Sequence, residues 1–282
     1  MREIMTRRNL MRAGAAAAGC LSLELGADPL KMPVGFQVYP VRDLIAKDFA
    51  GTLKQIAALG YRTVEMCSPS GYARSGFASL AGMKAGELRR VIESVGLRCE
   101  SSHFQFREMK EETQERIAFA RELGLKQIIV ASLGLRKDAT LADWTQAAAE
   151  MNRIGEQTHK AGLQLGFHNH DGEFKQLDGV LIFDALMKVL DPQLVKIQFQ
   201  VSVISLGFSA PPLFEKYPGR FVSLHLMDWS PSEKRTVPVG QGIIDWKALF
   251  AAAKKGGVKN YFVEMPMDAL KASYPYLHKL KV

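Results

Sequence analysis

Eight short runs of β-branched and apolar residues, separated by longer stretches with helical periodicity, follow one another from Pro33 onward. The strand candidates are Val34–Tyr39, Thr63–Met66, Leu97–Ser102, Gln127–Ala131, Leu163–Phe167, Leu194–Phe199, Phe221–Leu226 and Tyr261–Val263. Strands that alternate with helices pair in parallel, because each helix carries the chain back to the same end of the sheet. The stretch from Gly51 to Leu59 carries apolar residues at helical spacing and stops at Gly60. Gly96, Gly124, Gly162 and Gly257 repeat that stop shortly before a strand, where a helix ends in a left-handed residue. Eight such units predict a closed (β/α)8 barrel, with an open doubly wound sheet as the alternative. With 282 residues, 47% of them hydrophobic, and no Pro/Gly/Ser-rich linker, residues 33–282 read as a single domain. A G-x-G-x-x-G fingerprint is missing after the first strand, where Tyr39 leads into Pro40-Val41-Arg42-Asp43, which argues against a dinucleotide site.

The N-terminal residues are set apart from this pattern. Thr6-Arg7-Arg8-Asn9-Leu10-Met11-Arg12, followed by the apolar stretch Ala13 to Leu25, has the layout of a twin-arginine export signal over residues 1–27. Cleavage at Gly26-Ala27 would remove four arginines and two glutamates and take the net charge from +8 to +6. Ala18-Gly19-Cys20 is the weaker alternative, a lipid-attachment site. The expected location is outside the cytoplasm, in the periplasm. Basic residues elsewhere are dispersed among acids, which gives no footprint for nucleic acid. No later stretch is long and apolar enough to span a bilayer. Cys67 follows one strand candidate and Cys99 opens the next, which places them toward opposite ends of neighbouring parallel strands and argues against a disulfide.

In a barrel, reactive groups come from the C-terminal ends of several strands. Polar residues accumulate there. Glu65 ends the second strand, His103 follows the third, His168 and His170 follow the fifth, Gln200 the sixth, His225 lies near the end of the seventh and Glu264 closes the eighth. The richest stretch is Leu163 to Phe174, LQLGFHNHDGEF, where an apolar run ends in His168, Asn169, His170, Asp171 and Glu173. Imidazoles and carboxylates converging from separate strands suit a divalent ion such as Zn²⁺ or Mn²⁺. Such an ion polarises a carbonyl while a neighbouring carboxylate moves a proton.

Taken in order, these residues resemble the sugar phosphate isomerase/epimerase family of xylose isomerase-like TIM barrels. The likeness runs through Gly35 to Asp43, Ala58 to Glu65, His168 to Phe174, Lys216 to His225, Val239 to Trp246 and Tyr261 to Glu264. It implies a divalent metal on His168, Gln200, His225 and Glu264, with proton transfer by Glu264, His170 or Glu173. It also implies that Glu65 and His103 face the substrate. Two positions depart from the family pattern. Gln200 stands where an acidic ligand is usual, which removes a charge from the ion's shell, and Met227 replaces the lysine of the usual His-x-Lys-Asp pattern. The implied activity is metal-assisted isomerisation or epimerisation of a small-molecule sugar or cyclic polyol. The alternatives are a lyase or dehydratase acting on a keto-sugar at the same site, or a non-catalytic carbohydrate-binding relic. The endonuclease branch of this barrel group needs more ligands than six histidines supply here.

Overall fold

A computed structural model describes residues 28–282; the expected export signal and Cys20 lie outside the described residues. Eight parallel strands close into a barrel: β1 (Gly35–Gln37), β2 (Thr63–Cys67), β3 (Arg98–Phe104), β4 (Gln127–Val130), β5 (Gln164–His168), β6 (Val195–Gln200), β7 (Phe221–Leu226) and β8 (Asn260–Val263). Each is followed by a helix: α1 (Phe49–Ala58), α2 (Ala85–Ser94), α3 (Thr113–Leu123), α4 (Leu141–Lys160), α5 (Ile182–Val189), α6 (Ala210–Lys216), α7 (Trp246–Gly256) and α8 (Met267–Lys279). The architecture is the expected (β/α)8 barrel, with β1 pairing β8 to close it.

Local chemistry sets the ends of these elements. Asp48, Thr140 and Asp245 accept hydrogen bonds from backbone N–H groups in the first turns of α1, α4 and α7, satisfying donors that have no partner within the helix. Gly124 and Gly257 take left-handed conformations (φ 92° and 75°) and end α3 and α7, as the glycine spacing predicts. The strand ladders extend further toward the C-terminal end than hydrophobicity alone suggests. His103 pairs with Ile129, His168 with Gln198 and Gln200 with His225, so these three residues belong to the strands rather than to the loops after them. Conversely β1 stops at Gln37, because the Gln37 side chain accepts the Tyr39 N–H and the chain turns at Tyr39–Val41.

Alternate strand residues divide the core in two. Val64, Met66, Phe104, Phe167, Ile197, Phe199, Leu224 and Leu226 join the apolar layer between barrel and helices. The intervening positions form a largely polar lumen, in which Asn260 bonds Gln127 and Glu65 bonds Gln198 from strands far apart in sequence. Cys67 and Cys99 are both buried and free, on opposite ends of β2 and β3. Two short antiparallel hairpins, Gln176–Leu177 with Val180–Leu181 and Asp228–Ser230 with Arg235–Val237, decorate the loops after β5 and β7. Among the described residues no helix is long and apolar enough to cross a membrane.

Barrel closure depends on a small residue at position 35. A Cβ there would lie 2.5 Å from Phe262 Cδ1, 2.6 Å from Thr63 Oγ1 and 2.8 Å from the Tyr261 carbonyl. Gly35→Val is therefore expected to lower unfolding stability by about 1–3 kcal/mol or more, the cost of overpacking against backbone that cannot yield. Denaturant titration monitored by circular dichroism reads this loss directly.

Candidate active site

At the C-terminal end of the barrel three imidazoles meet. One nitrogen from each of His103 (β3), His168 (β5) and His225 (β7) lies within 4.8 Å of the others. The His103 and His225 rings stack at 5.0 Å, and the His168 ring sits 4.5 Å from His225. The three are buried, so their polar atoms need partners within the fold.

Glu65 supplies one for each of two rings. Its Oε1 accepts from Ser101 Oγ at 2.5 Å and Gln198 Nε2 at 2.7 Å; its Oε2 lies 2.5 Å from His225 Nε2 and 3.1 Å from His103 Nε2. Burial alone would raise the Glu65 pKa, but the flanking His103 and His225 outweigh it and hold the carboxyl well below the usual range. Glu65, expected to face the substrate, lies instead beneath the imidazoles with no solvent exposure. On the other side of His225, Nδ1 lies 3.0 Å from Glu264 Oε2. Burial would lower the His225 pKa, yet the two carboxylates push it up to about 9. The same Glu264 oxygen accepts from Gln200 Nε2 at 2.5 Å.

His168 is the contrast. Neither of its ring nitrogens has a hydrogen-bond partner, and the Gln200 Oε1 is likewise unpaired, although both are buried. Burial, reinforced by the surrounding imidazoles, lowers the His168 pKa far below 6.5 and keeps the ring neutral, with one lone pair free. Unpaired lone pairs on His168 and Gln200, beside the Glu264 carboxylate and the His225 Nδ1, form a donor set that fits a divalent cation.

The turn after β5 carries the remaining expected residues. The His170 ring packs 4.7 Å from His168 and the residue is exposed at the mouth. Glu173 is buried and Oε2 accepts the His170 backbone N–H at 2.7 Å, with no hydrogen bond to the imidazole cluster. Asn169 Oδ1 accepts the Gln200 N–H at 3.1 Å and ties the ends of β5 and β6 together.

Three members of this network escape a reading of strand ends: Ser101, Gln198 and Ser223. Each stands two residues before a residue that reading does select, His103, Gln200 and His225, so the period-two rule for strands was the signal that could have found them. Asp228, in the position after Met227, has a different task. Its carboxylate accepts the N–H groups of Trp229, Gly240 and Ile244 and the Trp246 indole, at 2.8–3.1 Å. The Val239 to Trp246 segment is wound around this one side chain, and a Cβ on Gly242 would lie 2.2 Å from its Oδ1. A cleft of about 460 Å³ opens between the segments after β3 and β4, lined by residues from Gln105 to Arg153 and by none of the clustered imidazoles.

The model of the xylose isomerase-like TIM barrel family matches residues 53–278. The chain belongs to that family. Among curated relatives of this xylose isomerase-like barrel, an inosose dehydratase from Lacticaseibacillus casei is 26% identical over 196 residues, covering 58% of this chain and 64% of that protein. An inosose dehydratase from Geobacillus thermodenitrificans is 25% identical over 234 residues, covering 69% and 77%. Thus the chain spans slightly under two thirds of the Lacticaseibacillus protein. Among solved structures, a sugar phosphate isomerase/epimerase from Parabacteroides distasonis superposes with a TM-score of 0.76 at 23% identity, covering 88% of this chain and 94% of that one. The IolI protein with a bound zinc atom superposes at 0.62 and 14% identity, covering 88% and 94%. These structural likenesses bear on the fold.

Glu173 offers a test of the site's electrostatics. Burial pushes its pKa up to about 7 from 4.5. A raised carboxyl pKa favours the folded state while the group is protonated, so this stabilisation is complete below pH 4.5 and is lost as pH rises through 7. The loss amounts to about 3 kcal/mol. Glu173→Gln keeps an acceptor for the His170 N–H and is expected to flatten the decline in stability between pH 5 and 8, measured by urea unfolding at each pH. An unchanged slope would show that Glu173 does not titrate in this window.

Proposed function

We propose that this chain is a metal-assisted enzyme that removes a proton beside the carbonyl of a keto-sugar or keto-polyol, with loss of water as the outcome its named relatives favour. The observation that carries this reading is the pair of unpartnered lone-pair donors, His168 and Gln200 Oε1, buried against Glu264 and His225. His168, Gln200, His225 and Glu264 would hold the ion, and a His103 nitrogen within 4.8 Å of nitrogens of His168 and His225 adds a further donor. A zinc atom is bound by the structurally similar IolI protein, which supports a divalent ion here. When bound, such an ion polarises a carbonyl and makes the adjacent C–H more acidic.

The chain's own groups account for the rest. His170, exposed beside His168, is placed to take the proton from the carbon next to the carbonyl. Glu173 holds the His170 backbone through its N–H and fixes the turn that presents the ring. Departure of a β-hydroxyl with a proton from His170 gives water and an unsaturated ketone, which balances the elimination. Return of the proton to the neighbouring carbon instead gives isomerisation, and its return to the opposite face of the same carbon gives epimerisation. The sequence before residue 28 supports an exported enzyme, and therefore an unphosphorylated sugar or glycoside as substrate.

Metal analysis of the purified full chain, followed by incubation with a keto-inositol and with simple ketoses in D₂O, tests this. Stoichiometric divalent metal, ultraviolet absorbance of a conjugated ketone and solvent deuterium beside the carbonyl are expected. Deuterium without water loss identifies the isomerase outcome, whereas no metal and no exchange leave the binding relic. Gln200→Asp restores a negative charge to the ion's shell and is expected to tighten metal binding by at least about tenfold, or 1.4 kcal/mol. Isothermal titration with Zn²⁺ measures it, and an unchanged affinity removes Gln200 from the ion's shell. His170→Gln is expected to reduce turnover by roughly 10²–10⁴ with metal content retained.

A further inference from the structure

Gln198 lies at the centre of the lumen with every polar atom engaged. Its Nε2 faces Glu65 Oε1 at 2.7 Å and Ser223 Oγ at 3.1 Å, and its Oε1 faces His103 Nε2 at 2.7 Å. The amide cannot sit the other way round, because a carbonyl oxygen would then oppose the Glu65 carboxylate. With the amide so fixed, its oxygen accepts, and the His103 nitrogen opposite must be the donor. The other neighbour of that nitrogen is also an acceptor: Glu65 Oε2 at 3.1 Å. A lone pair on His103 Nε2 would face two oxygens. His225 meets the same logic from the other side, since its Nε2 lies 2.5 Å from Glu65 Oε2. Four contacts, from Ser101, Gln198, His103 and His225, fill the acceptor sites of Glu65 and leave no direction for a proton of its own.

We propose that Glu65 and Gln198 act together as positioning residues that fix the proton of both His103 and His225 on Nε2, so that each ring offers Nδ1 to the barrel mouth. Tautomer choice in a buried histidine follows the hydrogen bond made by the other nitrogen. Here one carboxylate and one amide, both without solvent exposure, make that choice for two rings at once. The His225 Nδ1 then points at Glu264 Oε2, 3.0 Å away. The consequence is a mouth whose reactive nitrogens have fixed identity before any ligand arrives. This holds whichever reaction the site performs.

Nitrogen-15 NMR of the full chain labelled in its histidines tests the proposal without substrate. Resonances are assigned from single His→Gln variants, and spectra are taken after EDTA treatment and after Zn²⁺ addition. In both states His103 and His225 are expected to show a protonated Nε2 with a slowly exchanging downfield proton. A neutral Nδ1–H form of either ring overturns the proposal from the wild-type spectrum alone. Gln198→Met keeps the length of the side chain but removes its hydrogen bonds. It is expected to shift or broaden away the His103 Nε2–H signal and to leave that of His225 in place. An unchanged His103 signal in this variant overturns the role of Gln198.

Discussion

A carboxylate buried at the axis of the barrel is the constraint around which the rest of the interior is arranged. Removing an ionised Glu65 from water is costly, several kcal/mol in an interior that offers too few partners. Here its partners come from β3, β6 and β7, so strands on opposite sides of the barrel are bonded through one residue. That geometry requires serine, glutamine and histidine at inward positions of those strands, where many barrels place branched aliphatic residues. It also explains why the lumen is polar far below the mouth. The imidazoles rest on a charged floor, and the floor decides how they can ionise and turn.

The fold was legible because the strands are apolar on the side that matters for recognition. Phe36, Val64, Ile128, Leu165, Phe199 and Leu224 face the helices and produce the short apolar runs, while the inward residues between them interrupt those runs without hiding them. Glycine stops marked the helix ends for a steric reason that holds in isolation. The strand ends were less visible. His103, His168 and Gln200 look like loop residues by polarity, yet backbone pairing continues through them because polar side chains fit a barrel lumen as well as a loop.

The convergence of these side chains was legible, and their wiring was not. His168, His225 and Glu264 do come together at one end of the barrel, with His103 among them. What no spacing rule conveys is depth: Glu65 and His103 are both near strand ends, but one forms the floor and the other the wall. Gln198 and Ser223 went unnoticed because glutamine and serine in a strand carry no chemical signature until their partners across the barrel are known. Gln200 stands where the family resemblance leads one to expect an acid. In the structure its amide nitrogen bonds Glu264 and its oxygen is left without a partner, so the amide offers half of a carboxylate's lone-pair capacity.

The loop that closes the rim after β7 has a further meaning for anyone who would reshape this protein. All four bonds to Asp228 fall on its own neighbour and on residues 240–246, while residues 231–235 project as an exposed hairpin tip that shares none of them. Frame and tip are therefore separable modules. A library of tips can be grafted between Ser230 and Thr236 on a frame whose conformation is set elsewhere, which makes this rim a natural place to install new molecular recognition on an otherwise unaltered barrel.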